Sequence, residues 1–340
     1  MVVGELSALL AALTFAVSNV LNKFLTGRLA PVPLNAIRTS SAAVFLVALF
    51  FALGKAADIP STPFDSVLLI VAGGVLTTGV GDTLFLLFIR RVDISRAATL
   101  SFSLMTLMMV GSGALLLDEE VTWVTLAGAL LVVSGVYLLS GYQRRRAGTT
   151  GRLWIGSRGM AFLLVVVLLH VTGLSLMRVG LREADSIIGN TARISVIAFA
   201  FLIAVSIGRN PQLGPHSASR AWARRRAQPW PSRRGTGGAA PLRVRIAYHT
   251  HPRVFHMRGT SIDLTAVLLG AFAGALSLGL GTTLLFIAFQ RSGAAISTIL
   301  INSQVLWLTP LSMVFLKERV TPRTVLGILV TLGGITIVLL

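Results

Sequence analysis

Runs of about 20 apolar residues recur along the whole chain, and such runs leave few folds open because each is long enough to cross a bilayer. In hydrocarbon the backbone has no water to bond, so only helices or a closed β-barrel can span it. The runs are too long for barrel strands and lack the in–out alternation that a barrel needs. The pattern predicts an all-α polytopic membrane protein with ten transmembrane helices, near 4–25, 33–53, 66–89, 95–117, 122–141, 159–180, 187–207, 263–289, 294–316 and 322–340. Composition agrees: 54% of the 340 residues are hydrophobic and 12% charged, about half the charge of a soluble domain. The opening "MVVGELSALL" has no basic n-region, so it reads as a retained first span and not a cleaved signal.

The formal charge of +18 resembles that of a nucleic-acid binder, but its distribution argues against that partner. Residues 208–262 hold 11 arginines and no acid; the rest of the chain has 19 basic against 12 acidic residues, ordinary for basic loops beside a membrane. The Arg/Pro/Gly/Ala composition of 208–262 is that of a disordered insertion, or of a shifted frame in a GC-rich gene. It also contains His216, His249, His251 and His256, a thin metal signal without carboxylate or cysteine partners. No metal or other cofactor is expected. With no cysteine in the chain, disulfides and thiolate chemistry are excluded.

The chain repeats itself. "LTTGVGDTLFLLFIRR" (76–91) aligns with "LSLGLGTTLLFIAFQR" (276–291) at an offset of 200, matching at Gly79/Gly279, Gly81/Gly281, Thr83/Thr283 and Arg91/Arg291. At an offset of 155, Lys23 pairs with Arg178, Asn35 with Asn190, Arg38 with Arg193 and Ser40 with Ser195. At 199, Glu119 pairs with Glu318, Thr122 with Thr321, Gly128 with Gly327 and Gly135 with Gly334. The offset grows by 45 residues (200 against 155) inside the basic insertion. Each copy has five spans, an odd number, so the second copy must be inverted relative to the first, the ground plan of secondary transporters. The expected organisation is a first repeat at 1–141, a basic linker at 142–158 and a second repeat at 159–340, interrupted at 208–262.

"LLLDEEVTWVTLAGALLVVSG" (115–135) and "FLKERVTPRTVLGILVTLGG" (315–334) resemble the Glu-x-x-Thr ending of the EamA repeat in the drug/metabolite transporter (DMT) superfamily. "ISTILINSQVLWLTPLSMVFLKE" (296–318) is similar to that family's ninth helix. Lys23 and Arg38 fit basic residues common in its first two helices. The resemblance implies a ten-helix, multi-pass carrier of the cytoplasmic membrane that moves a small polar metabolite or drug-like solute, often as efflux. It also implies cytoplasmic termini, whereas the excess of Lys and Arg in loops after odd-numbered spans would put the termini outside. The long basic insertion departs from the family.

Asp82 is the sharpest single residue. An acid inside a span faces a cavity, pairs with a cation or exchanges protons; the alternative is an acid near a span end, paired with a base. Its counterpart is Thr282. Thr14, Ser18 and Asn22, with Asn19 beside them, make one polar stripe on the first span. Ser101, Ser103 and Thr106 add to it from the fourth span, and Thr298, Asn302, Ser303, Gln304 and Thr309 from the ninth. These residues either line a hydrated cavity or bond helices together. Arg38 and Arg193 sit a turn and a half inside their spans and would favour an anionic or zwitterionic solute; Lys23 and Arg178, nearer the ends, snorkel more readily.

Glu119 and Glu318 each precede a threonine that can N-cap the next helix and read as hinges, not catalysts. With Asp82 and His170 nearly alone in the spans, an enzyme is not expected. The expected function is alternating-access transport, with proton coupling through Asp82 as a further option. A passive channel or membrane scaffold is the alternative.

Overall fold

The computed structural model describes residues 2–25, 28–89, 94–146, 157–207, 254–257, 260–304, 306–307, 311 and 322–339. Ten helices follow the expected spans. They are α1 (Val2–Leu25), α2 (Pro31–Ala52), α3 (64–89), α4 (Ile94–Leu116), α5 (Trp123–Arg146), α6 (Ser157–Gly180), α7 (Ser186–Ile207), α8 (264–292), α9 (beginning Ala294–Ile301) and α10 (Pro322–Leu339). Six stretches are long and apolar enough to cross a membrane by themselves; shorter apolar helices at Ser101–Leu116, Trp123–Gly135 and Leu326–Val338 fall in α4, α5 and α10. Within the basic insertion, Val254–Met257 (β1) and Thr260–Asp263 (β2) pair as an antiparallel hairpin, from which Asp263 caps α8 by accepting a bond from the Ala266 amide.

Local sequence explains most helix ends. Pro31 opens α2, where its missing N–H is not needed. The Thr122 hydroxyl accepts a bond from the Thr125 amide at 3.2 Å and caps α5, as its position predicts. Asp185 caps α7 through the amides of Ile187 and Ile188 at 2.8 and 3.2 Å.

The direction of packing shows the inversion. Gly128 lies against Gly334 while Gly135 lies against Gly327, so α5 and its repeat partner α10 run antiparallel. In the homologous pair α2/α7, Ala36 packs on Ile197 and Phe201, whereas Ala42 and Leu46 pack on Ile194, again antiparallel. Copies related by an axis along the membrane normal would place such pairs parallel. The axis therefore lies in the membrane plane.

The halves also interleave. Helix α1 packs along α8, with Gly4 beside Ser292 and Ser18 beside Ala273. Helix α6 packs along α3 in the same way, with Gly180 beside Ser66 and Gly73 beside Gly173. Each copy thus buries its first helix against the other copy's third. The core runs through this seam: Phe286, Phe289, Ile70, Met109 and Met177 are almost wholly buried within it.

Helices α3 and α8 each change winding at the same repeat position. Both pass through a seven-residue π-helical segment, Val75–Gly81 and Ala275–Gly281, before returning to α-helix at Asp82 and Thr282. Such segments release carbonyls from the regular ladder and concentrate at functional sites.

Candidate functional site

An asparagine from the preceding helix bonds each of α3 and α8 at its π segment or just beyond it. Asn35 donates to the Thr83 hydroxyl at 3.1 Å. Its repeat partner Asn190 donates to the Thr283 hydroxyl at 2.9 Å and lies within bonding distance of the Leu278 and Gly279 carbonyls. One turn further on, each asparagine oxygen accepts from an arginine: Asn35 from Nη1 of Arg38 at 2.9 Å, Asn190 from Nε and Nη2 of Arg193 at 3.2 and 2.8 Å. Glycine makes the crossing possible. A side chain at Gly74 would collide with Arg193, and one at Gly274 with the Arg38 backbone. Asn-x-x-Arg on α2 and α7 is thus one device built twice.

Both guanidiniums are buried, at 6% and 2% exposure, and neither makes a direct salt bridge among the described residues. Arg193 also donates to Thr78 at 3.4 Å and lies 5.3 Å from the centre of the Phe286 ring. The Nε of Arg38 is buried without a partner. Both arginines interact electrostatically with Asp82.

Asp82 has a direct partner. The Nε2 of His170 on α6 lies 3.3 Å from its Oδ1, while His170 Nδ1 lies 2.8 Å from the Val166 carbonyl. A carbonyl only accepts, so Nδ1 carries a hydrogen. The bond at Nε2 then needs one more proton, on the ring or on the carboxyl. The two side chains are 20% and 28% exposed. Gly81 leaves the space that the His170 ring occupies.

The polar stripes of α1, α4 and α9 meet. Asn19 donates to Gln304 at 3.0 Å, and Asn302 bonds Thr106. Helix α9 is regular only to Ile301 and turns at Asn302 and Ser303, about 12 Å along the helix from Ala294 at 1.5 Å per residue. Around this turn, Asn22 Oδ1, Ser103 Oγ, Thr298 Oγ1, Asn302 Oδ1 and Ser303 Oγ are buried with no hydrogen-bond partner among the described residues. Ser101 is also buried. Ser18 is different: it bonds Ser277 and the Ala273 carbonyl across the α1–α8 contact, the helix-joining role that hydroxyls can play. Thr14 bonds its own helix.

Arg178 turns away from the arginine pair. Its Nε donates to Glu119 at 3.1 Å, and the Glu119 carboxylate also accepts the Ala294 and Ala295 amides at 2.6 and 2.9 Å. Glu119 is therefore the cap of α9, supplied from the α4–α5 loop, a role that its position before Thr122 does not reveal. Arg182 to the Leu117 carbonyl and Gln290 to the Leu181 and Ala184 carbonyls add to this lacing. These bonds tie together the end of the molecule that carries the α4–α5 and α6–α7 loops. The Lys23 side chain and residues Glu318, Thr309, Thr321, His216, His249 and His251 lie outside the described residues; His256 falls in β1.

The EamA-like transporter family matches residues 2–141 and 250–340. The chain belongs to that family. As a DMT-type membrane transporter family, EamA accounts for the ten helices and the two repeats, and it makes a small solute and a lipid bilayer the protein's natural partners. One solved crystal structure is similar in fold at a TM-score of 0.67 and 15% identity, over 98% of this chain and 95% of the other. No curated protein matches the sequence.

Proposed function

We propose that this EamA-family protein is a secondary carrier of the cytoplasmic membrane that exports a small polar metabolite or drug-like solute by alternating access. The observation that carries the reading is the set of unspent buried hydrogen-bonding groups around the α9 turn, on Asn22, Ser103, Thr298, Asn302 and Ser303. Buried polar groups are costly unless bonded, so groups left open between helices of both repeats suit a solute or water that comes and goes. Asn19, Gln304 and Ser101 are assigned to the same binding region. A turn in mid-helix at membrane depth is tolerated where it lines a cavity. The laced end supports alternating access, since a carrier must close one face while the other is open.

Proton coupling is assigned to Asp82 with His170, whose bond requires a shared proton. Only one repeat carries the pair, so the two halves do not contribute equally to coupling. Reconstitution into liposomes tests both parts. Flux that saturates and is stimulated by solute on the far side marks a carrier; linear flux without such stimulation marks a channel and refutes the proposal. An Asp82→Asn protein that kept full pH-gradient-driven uptake would end the coupling assignment.

A further inference from the structure

Charge bookkeeping around Asp82 leaves a surplus. Among the described residues, Asp82 is the one acid that lies more than a turn inside a span. With one shared proton the Asp82–His170 pair is neutral overall, whichever atom holds the proton. Arg38 and Arg193 then leave two positive charges in the interior; among the described residues they are hydrogen-bonded to the neutral partners Asn35, Asn190, Thr78 and Met177 and feel Asp82 only through space. Amide and hydroxyl oxygens satisfy N–H donors but do not cancel charge, and a buried charge without a counter-charge is strongly unfavourable. The Nε of Arg38 is a buried donor with nothing to donate to.

The two guanidiniums occupy equivalent depths from opposite faces. Arg38 is seven residues from the start of α2 and Arg193 seven from the start of α7, about 10 Å along each helix at 1.5 Å per residue. Because α2 and α7 are antiparallel, the charges flank the midplane.

Building on the carrier reading, we infer that the solute is a small anion, a carboxylate or phosphate ester, whose charged group is taken up by the open Nε of Arg38. The solute supplies the direct ion-pair partner that neither arginine has among the described residues. Asn35 holds the guanidinium by Nη1 and leaves the Nε edge to the ligand. Arg193, with Nε already engaged by Asn190, is the fixed positive charge on the far side of the midplane and favours passage of an anion across it.

The test is thermal unfolding of the full-length protein in detergent, at matched ionic strength. Sodium lactate, succinate and glycerol phosphate are compared with choline chloride and glycerol, against sodium chloride as reference. The expected result is saturable stabilisation by at least one of the three organic anions and none by choline or glycerol. Arg38→Gln should weaken that binding roughly tenfold or more, the loss of a hydrogen bond to a charged group. Arg38→Lys, which keeps the charge without an Nε donor, should fall between. If the glutamine variant does not fold, the wild-type panel and the lysine variant still decide.

Stabilisation only by choline or glycerol, no response to any of the three anions, or unchanged anion affinity in a folded Arg38→Gln protein overturns the inference. An anion that binds but is never carried would refute the carrier and leave this inference standing. Saturable transport of choline or glycerol would do the reverse.

Discussion

Replacing Glu119 by glutamine tests whether the laced end is a seal. The carboxylate receives three donors: Arg178 Nε at 3.1 Å and the amides of Ala294 and Ala295 at 2.6 and 2.9 Å. A glutamine can accept with one oxygen only, and it turns an NH2 toward groups that also donate. A hydrogen bond involving a charged group contributes about 1.5–3 kcal/mol, and loss of a helix cap costs about 1 kcal/mol. The Arg178 side chain is 18% exposed and recovers some hydration when released, so the seal should weaken by about 2–3 kcal/mol. At 1.4 kcal/mol per factor of ten, the open form gains roughly 30- to 150-fold in population. The chain has no native cysteine, so a single Thr298→Cys reports opening cleanly: Thr298 is 1% exposed, one turn inside Ala294. Reaction of that cysteine with a water-soluble maleimide should quicken by that factor when Glu119→Gln is added. A rate that stays within threefold of the single-cysteine protein would show that Glu119 does not hold this end shut.

His170→Gln should abolish the response of transport to a pH gradient while leaving counterflow exchange measurable, because glutamine can bond Asp82 but exchanges no proton; retained gradient-driven uptake counts against the shared-proton site. Gly135→Ala should lower the melting temperature, since its methyl carbon would sit 2.7 Å from the Thr331 amide nitrogen and 2.8 Å from the Gly327 carbonyl oxygen, overpacking that costs about 1–3 kcal/mol. Gly333→Ala, with open space at that position, should be neutral or stabilising by about 0.5–1 kcal/mol, and melting curves of the two proteins compare them. At the α6–α7 loop, burial pushes the Asp185 carboxyl up, but Lys55 at 2.9 Å and the Ile187 and Ile188 amides outweigh it and hold it below its ordinary 3.8. A depressed carboxyl stabilises fully above its unfolded value and loses that contribution as pH falls through the folded one. Melting temperature should therefore drop below about pH 4, and the drop should shrink in Asp185→Asn.

Much of this architecture is legible in the residues. Hydropathy alone locates nine of the ten helices to within a few residues, because a span must be about 20 apolar residues long wherever it lies. The repeat offsets foretell which residues become structural equals, and the Asn35–Arg38 and Asn190–Arg193 devices are those equals seen in space. What pattern reading misses is long-range. The partner of Asp82 is 88 positions away on α6, and the helix that Glu119 caps begins 175 positions later. The π segments escape because hydropathy is blind to winding; Gly79, Gly81, Gly279 and Gly281 read equally well as ordinary packing glycines. The turn at Asn302 is hidden for the same reason, inside a run that looks continuous.

An axis lying in the plane of the bilayer has a consequence for biogenesis. A bundle whose helices map approximately onto one another when flipped end for end has little built-in top or bottom in its helix packing. The choice falls to the loops, and the copies differ most there: Arg144, Arg145 and Arg146 close α5, and 11 arginines fall within 208–262. Insertion polarity is thus separable from folding. Transplanting a few of those cations to the loop at 53–63, leaving the Lys55–Asp185 pair in place, should invert the molecule in its membrane while the helix packing is kept.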